Sequence, residues 1–201
     1  MNTAVFVSGN GTNLQALLDA ENNGRLGGAR IRLVVCDKPG AYALERAAGA
    51  GVEVYLQEAE GYASREEYDR DVIRKLKEKD IGLVVLAGFM RILSGEFVDE
   101  YESRALNIHP ALLPAFKGEH GIKDAFDHGV KVTGVTVHFV DKVLDGGPIV
   151  LQRCVAVDPG DTLDSLEEKI HELEHELYPE AVRLFAEGRL RVNGRKVEIT
   201  P

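Results

Sequence analysis

Residues 4–14 read Ala4-Val5-Phe6-Val7-Ser8-Gly9-Asn10-Gly11-Thr12-Asn13-Leu14. An unbroken apolar, β-branched run over Ala4 to Ser8 enters a glycine-containing turn, and a helical pattern follows from Leu14 to Asn23. A strand that is apolar at every position expects cover on both faces, the condition of a parallel sheet packed between helices.

The same alternation continues outward: Ile31 to Cys36 then Ala41 to Ala50, Val52 to Tyr55 then Ser64 to Lys79, and Leu83 to Ala87. Such a βαβ series predicts an α/β, three-layer, Rossmann-like domain with a mostly parallel sheet and helices on both faces. Ala105-Leu106-Asn107 reads as the end of a further short strand. Beyond Leu106 the pattern changes, because Val132 to Val140 and Ile149 to Val157 are longer, alternate more, and are joined by a turn-rich connection. An antiparallel C-terminal portion is expected there. A long helix from about Thr162 to Glu187, capped by Thr162 or Asp161 and stopped by Gly188, closes the globule. The tail from Leu190 to Ile199, with Asn193-Gly194, reads as a hairpin. No linker or repeat divides the chain, so residues 1–201 are expected to form one domain, with a βαβ half over 1–105 and a second half over 106–201.

The chain has 201 residues, of which 44% are hydrophobic and 28% charged, and a formal charge of −9. This is an ordinary core-forming composition, with no membrane span. The acidic balance disfavours binding to a nucleic-acid backbone, which rewards clustered basic surface. Met1-Asn2-Thr3 runs straight into the first strand without a basic or long apolar leader, which predicts a cytoplasmic location. Cys36 and Cys154 match no metal or redox spacing, and both read as small core hydrophobes.

Three groups of residues carry chemistry. The turn from Ser8 to Asn13 opens a helix, a geometry that offers free backbone N–H groups and a positive helix end to an anion. Leu14 replaces the third glycine of a dinucleotide fingerprint, so a single phosphate fits better than a pyrophosphate. A plain tight turn capped by Thr12 is the alternative. Asn107-Ile108-His109-Pro110 and Leu144-Asp145-Gly146-Gly147-Pro148 supply an amide, an imidazole and a carboxylate, enough to move a proton and hold negative charge at one carbonyl. Each alone is also an ordinary turn sequence. His171-Glu172-Leu173-Glu174-His175 matches the His-Glu-x-x-His zinc pattern, but it lies on a helix with a Leu166, Ile170, Leu173, Leu177 stripe and a dense acidic face, where such a pentapeptide arises by chance. Glu174, one step from the stripe, could face a cleft and accept a ligand amine.

Six segments in register resemble the phosphoribosylglycinamide formyltransferases: Ser8 to Leu14, Ser64 to Asp69, Leu86 to Leu93, Leu106 to Pro114, Val132 to Phe139 and Leu144 to Pro148. The resemblance implies a formyltransferase fold and transfer of a formyl group from 10-formyltetrahydrofolate, as co-substrate, to the amine of 5′-phosphoribosylglycinamide in purine synthesis. It implies neither a metal nor a covalent enzyme intermediate. The partners would be small molecules, with no nucleic acid and no membrane, and the enzyme a monomer or homodimer. In its terms the backbone of Gly11, Thr12 and Asn13 holds the phosphate and Glu174 engages the glycinamide end. The pterin lies against Met90, Arg91, Ile92 and Leu93 and the loop containing Val140, Asp141 and Leu144, with Arg65 near the folate's glutamate carboxylate. Asn107 would donate to the oxyanion, protonated His109 to the same oxygen, and Asp145 would stabilise the imidazolium and order a water. His138 is expected to support the site from its strand, and His120 and His128 to lie on the surface.

Two departures from the commonest family wording are Ala111, where Ser often follows His-Pro, and Lys117-Gly118, where Pro-Gly is frequent. The Phe116-Lys117-Gly118 wording resembles formyltetrahydrofolate deformylase, which sends the formyl group to water and is the alternative activity. That resemblance would bring a preceding regulatory domain, whereas the catalytic pattern begins here at residue 1, and a phosphate cradle has no purpose in hydrolysing a folate. A formyltransferase acting on initiator tRNA fits the acidity less well, and a non-catalytic sensing module would not need Asn107, His109 and Asp145 together.

Overall fold

The computed structural model describes residues 1–201. Four strand–helix units come first: β1 (Asn2–Val7) with α1 (Thr12–Asn22), β2 (Arg30–Cys36) with α2 (Ala43–Gly49), β3 (Glu53–Leu56) with α3 (Arg65–Glu78), and β4 (Ile81–Leu86) with α4 (Gly95–Glu100). There follow β5 (Ala105–His109), α5 (Gly121–His128), β6 (Val132–Phe139), β7 (Ile149–Ala156), α6 (Leu163–Ala186), β8 (Leu190–Asn193) and β9 (Lys196–Ile199). The strands form one sheet in the order β3-β2-β1-β4-β5-β6-β7-β9-β8. Strands β1 to β5 are parallel, β6 runs antiparallel to both β5 and β7, and the antiparallel β8–β9 hairpin joins β7 through one parallel pair, Ile149 with Lys196.

Period-two alternation sorts each strand between two cores. Val5 and Val7 of β1 join Leu14, Leu17, Leu177 and Tyr178 on the face covered by α1, α2, α5 and α6. Ala4 and Phe6 join Tyr68, Leu76 and Phe97 on the face covered by α3 and α4. The connections step outward from β1 to β3 and then return to β4 on the other side of β1. The reversal opens a crevice beyond the carboxyl ends of β1 and β4, where sheets of this type bind ligands.

The long helix begins at a capping box in which Thr162 Oγ1 accepts from Ser165 N and Ser165 Oγ accepts from Thr162 N, and Gly188 follows it at φ 69°. Three readings need correction. Helix α4, started by Ser94 Oγ accepting from Phe97 N, was not anticipated. Strand β6 does not alternate; it is buried from Thr133 to Phe139, because α6 covers one side and the Ala111–Leu113 segment is tied to the other through Thr136 Oγ1. Cys36 is buried, but Cys154 is exposed. Strand β9 reaches β7 only at Ile149, which leaves Gln152 to Cys154 on an open edge.

Candidate active site

The turn after β1 ends in Gly11, which caps α1 at φ 74° with no side chain taking the first-turn N–H groups. A Cβ on Gly11 would stand 2.7 Å from Ala43 Cβ, so both the backbone conformation and the close approach of α2 require glycine. Thr12 is the first helical residue rather than the cap. The capped-turn alternative is therefore displaced by an uncapped helix start, with N–H groups open to an anion.

Glu174 of α6 is buried at 4% exposure and turned toward this helix start. Its Oε2 accepts from Asn13 Nδ2 at 3.0 Å and lies 3.1 Å from His171 Nδ1. The hydrogen bond to this carboxylate raises the His171 pKa, against the opposing effect of burial. Burial instead lowers that of His175. Asn13 Oδ1 and His175 Nε2 are buried without a protein partner, two polar atoms whose desolvation a ligand can offset. The two imidazoles stack with centroids 6.5 Å apart, and no group of three metal-binding side chains gathers around them.

Asn107 and His109 lie on β5, opposite His138 and Thr136 of β6. His138 Nδ1 is 2.8 Å from the Phe139 carbonyl and Nε2 is 3.1 Å from Asn107 Nδ2. In the neutral ring Nδ1–H donates and Nε2 accepts from Asn107. His138 thus fixes which way the Asn107 amide points. Asp145 adopts φ 48° and inserts its buried carboxylate between the two imidazoles, 3.5 Å from His109 Nδ1 and 3.7 Å from His138 Nε2. Gly118 N donates to its Oδ2 at 2.8 Å. Burial pushes the Asp145 carboxyl up, but hydrogen bonding and charge from His138 in its protonated form, the Gly118 N–H and the charge of protonated His109 outweigh it and leave the pKa below the ordinary value.

His109 is held within the protein at both ring nitrogens. Nε2 is 2.8 Å from the Phe116 carbonyl and Nδ1 faces Asp145, so both nitrogens meet acceptors and neither points at open space. The imidazolium satisfies both; donation to a substrate oxygen requires Nε2 to leave Phe116. Thr136, which sequence reasoning passed over, holds the intervening loop. Its Oγ1 donates to Ala111 O at 2.7 Å and accepts from Leu113 N at 3.1 Å and Gln152 Nε2 at 2.9 Å. Its place in the Val132 to Phe139 segment, two residues before His138, was the available signal.

Leu93 and Val140 pack on the same apolar cluster, which makes neighbours of the segments that carry them. From these segments Met90, Ile92, Val143 and Leu144 project at 56–62% exposure, four large apolar side chains left to solvent. Asp141 Oδ1 accepts from Val143 N at 2.8 Å and shapes the second loop. The Arg91 guanidinium lies 4.2 Å from the Tyr68 ring centroid, while Arg65 pairs with Glu66 at 3.6 Å and remains half-exposed. The Ser64–Asp69 motif proves largely architectural. Ser64 caps α3, Tyr68 supports Arg91, and buried Asp69 accepts from Ser94 N at 2.6 Å. Met90 N donates to Ser8 Oγ at 2.9 Å, coupling this region to the anion turn. On the far side of the centre, Arg195 at the hairpin tip donates to Gly146 O at 2.9 Å. His120 and His128 are exposed, as expected.

A fold with its crevice at the β1/β4 reversal, holding an amide, two imidazoles and a carboxylate at the ends of its strands beside an open helix start, is that of a group-transfer enzyme. The chain belongs to the formyl transferase family, whose model matches residues 1–182. Within that family it groups with the phosphoribosylglycinamide formyltransferases. The enzyme of that name from Escherichia coli (strain K12) is 44% identical over 193 residues, covering 96% of this chain and 91% of the relative. The trifunctional purine biosynthetic protein adenosine-3 of Gallus gallus is 46% identical over 94% of this chain, which spans 19% of that longer protein. The crystal structure of glycinamide ribonucleotide transformylase 1 from Symbiobacterium toebii superimposes with a TM-score of 0.97 at 46% identity, covering 100% of this chain and 94% of that one.

Proposed function

We propose that the protein transfers the formyl group of 10-formyltetrahydrofolate to the amine of 5′-phosphoribosylglycinamide, giving the N-formylglycinamide ribonucleotide and tetrahydrofolate in purine biosynthesis. The observation that carries the reading is the cluster of Asn107, His109, His138 and Asp145, in a fold that also presents the uncapped helix start at Gly11 and the exposed apolar side chains of Met90, Ile92, Val143 and Leu144.

In this reading the first-turn N–H groups at Gly11, Thr12 and Asn13 hold the 5′-phosphate, and Glu174 accepts from the glycinamide end. The folate lies against Met90 to Leu93 and Val140 to Leu144, with Arg65 toward its glutamate carboxylate. The amine nitrogen attacks the formyl carbon, and the carbonyl π electrons move to oxygen. Asn107, oriented by His138, donates to that oxyanion. His109 as imidazolium, held by Asp145, adds positive charge and donates once Nε2 exchanges the Phe116 carbonyl for the substrate oxygen. Collapse breaks the carbon–N10 bond as the proton lost by the amine passes, through a water held at Asp145, to N10. Apo hydrogen bonds of this kind tighten only in the complex. The enzyme acts on small molecules in the cytoplasm, as a monomer or homodimer, without metal or nucleic acid.

The deformylase alternative is not favoured, because its water nucleophile makes no use of the anion turn. The test is release of deformylated folate with and without phosphoribosylglycinamide. Release only in the presence of the ribonucleotide supports the transferase; equal release without it makes the protein a deformylase.

A further inference from the structure

The anion turn is gripped by one side chain on α2. Arg46 Nε donates to Asn10 O at 2.8 Å, Nη2 to Asn10 Oδ1 at 3.2 Å and Nη1 to Gln15 Oε1 at 3.2 Å. Asn10 precedes the Gly11 cap and Gln15 lies in the first turn of α1, so the planar guanidinium spans the joint between turn and helix. Tyr42 supports it from one face, 4.8 Å from ring centroid to guanidinium carbon. Ala43 N, in the same part of α2, donates to Gly9 O at 3.1 Å.

We propose that Arg46 is a positioning residue for the phosphate monoester of the ribonucleotide, a role that rests on the substrate reading above. Three of its five N–H donors are engaged by Asn10 and Gln15, and in this role it holds the N–H groups at Gly11, Thr12 and Asn13 in one orientation before the dianion arrives. Affinity gained in this way comes from order already present in the free protein. Lysine keeps the charge but has no fork able to hold three acceptors.

The experiment compares the phosphorylated substrate with glycinamide ribonucleoside, the same molecule without its phosphate, in steady-state assays of the full chain. Arg46→Ala and Arg46→Lys should each raise KM for the ribonucleotide by roughly tenfold, as expected when a charge-assisted hydrogen-bond set is lost. The kcat at saturation and the folate KM should hold, and kcat/KM for the unphosphorylated compound should not move. A folding defect would depress both substrates alike. Asn10→Ala should reproduce part of the loss, and the Asn10→Ala/Arg46→Ala double variant should be no worse than Arg46→Ala alone. Equal losses on the two substrates, additive losses in the double variant, or full affinity in Arg46→Lys would each overturn the role. A wild-type protein indifferent to the phosphate would instead overturn the substrate reading itself.

Discussion

Asn13 and Glu174 meet through a 3.0 Å hydrogen bond that spans 161 residues of sequence. One stands in the first turn of α1 and the other near the middle of α6, and their contact closes the crevice on the side of the anion turn. Since Oε2 also receives His171, the carboxylate is held by two donors while no protein hydrogen bond falls on Oε1.

Glu174→Gln keeps the side-chain volume and removes the charge. The ribonucleotide KM should rise by roughly ten- to a hundredfold, the range of a hydrogen bond to a charged group, with the folate KM unchanged. Because the carboxylate is the largest cause of the raised His171 pKa, that pKa should fall in the variant. An NMR titration that left His171 where it was would contradict the pairing.

Asn107→Ala removes the one amide aimed by His138. Loss of an oxyanion donor typically lowers kcat by about 10²–10³, and that loss should come with little change in either KM. Single-turnover assays at wild-type rate would take Asn107 out of the chemistry.

Asp145 makes a pH-dependent contribution to stability. Its folded pKa lies below the ordinary value of 3.8, so the contribution is fully present above that pH and fades as the pH falls through the folded pKa. Denaturant titrations of wild type and Asp145→Asn should therefore differ by a constant gap above pH 3.8 and converge as the pH falls below it through the folded pKa. A gap that widened in acid would reverse the sign.

Thr136→Val deletes the hydroxyl shared by Ala111, Leu113 and Gln152 and leaves buried polar groups unmade, at a cost of about 1–3 kcal/mol. The urea midpoint should fall and kcat with it, while Thr136→Ser should recover much of both. A stable valine variant with normal turnover would show that the loop carrying Phe116 needs no such tie.

The alternation of continuous apolar strands with helical patterns made the parallel half of the fold legible, since two-faced burial leaves no other composition for β1, β2 and β4. Asn107, His109 and Asp145 were legible because amide, imidazole and carboxylate stand at strand and turn positions where side chains converge. The missed features depend on distant partners. The cap of α4 by Ser94 and its link to Asp69 need α3 beside α4. The burial of β6 needs the Ala111–Leu113 segment folded over it, and the occupation of His109 Nε2 by Phe116 is settled by the path of a loop. Local spacing carries none of these pairings.

Residues 183–201 lie outside the stretch matched by the family model, yet Arg195 among them holds the carbonyl of Gly146, the neighbour of Asp145. A protein cut back to its shared family boundaries would retain every residue assigned to the chemistry and lose an anchor of the turn that aims one of them. Peripheral tails are thus a place where relatives with identical reaction centres can drift apart in rate, and where a fusion partner or affinity tag would be felt at the centre.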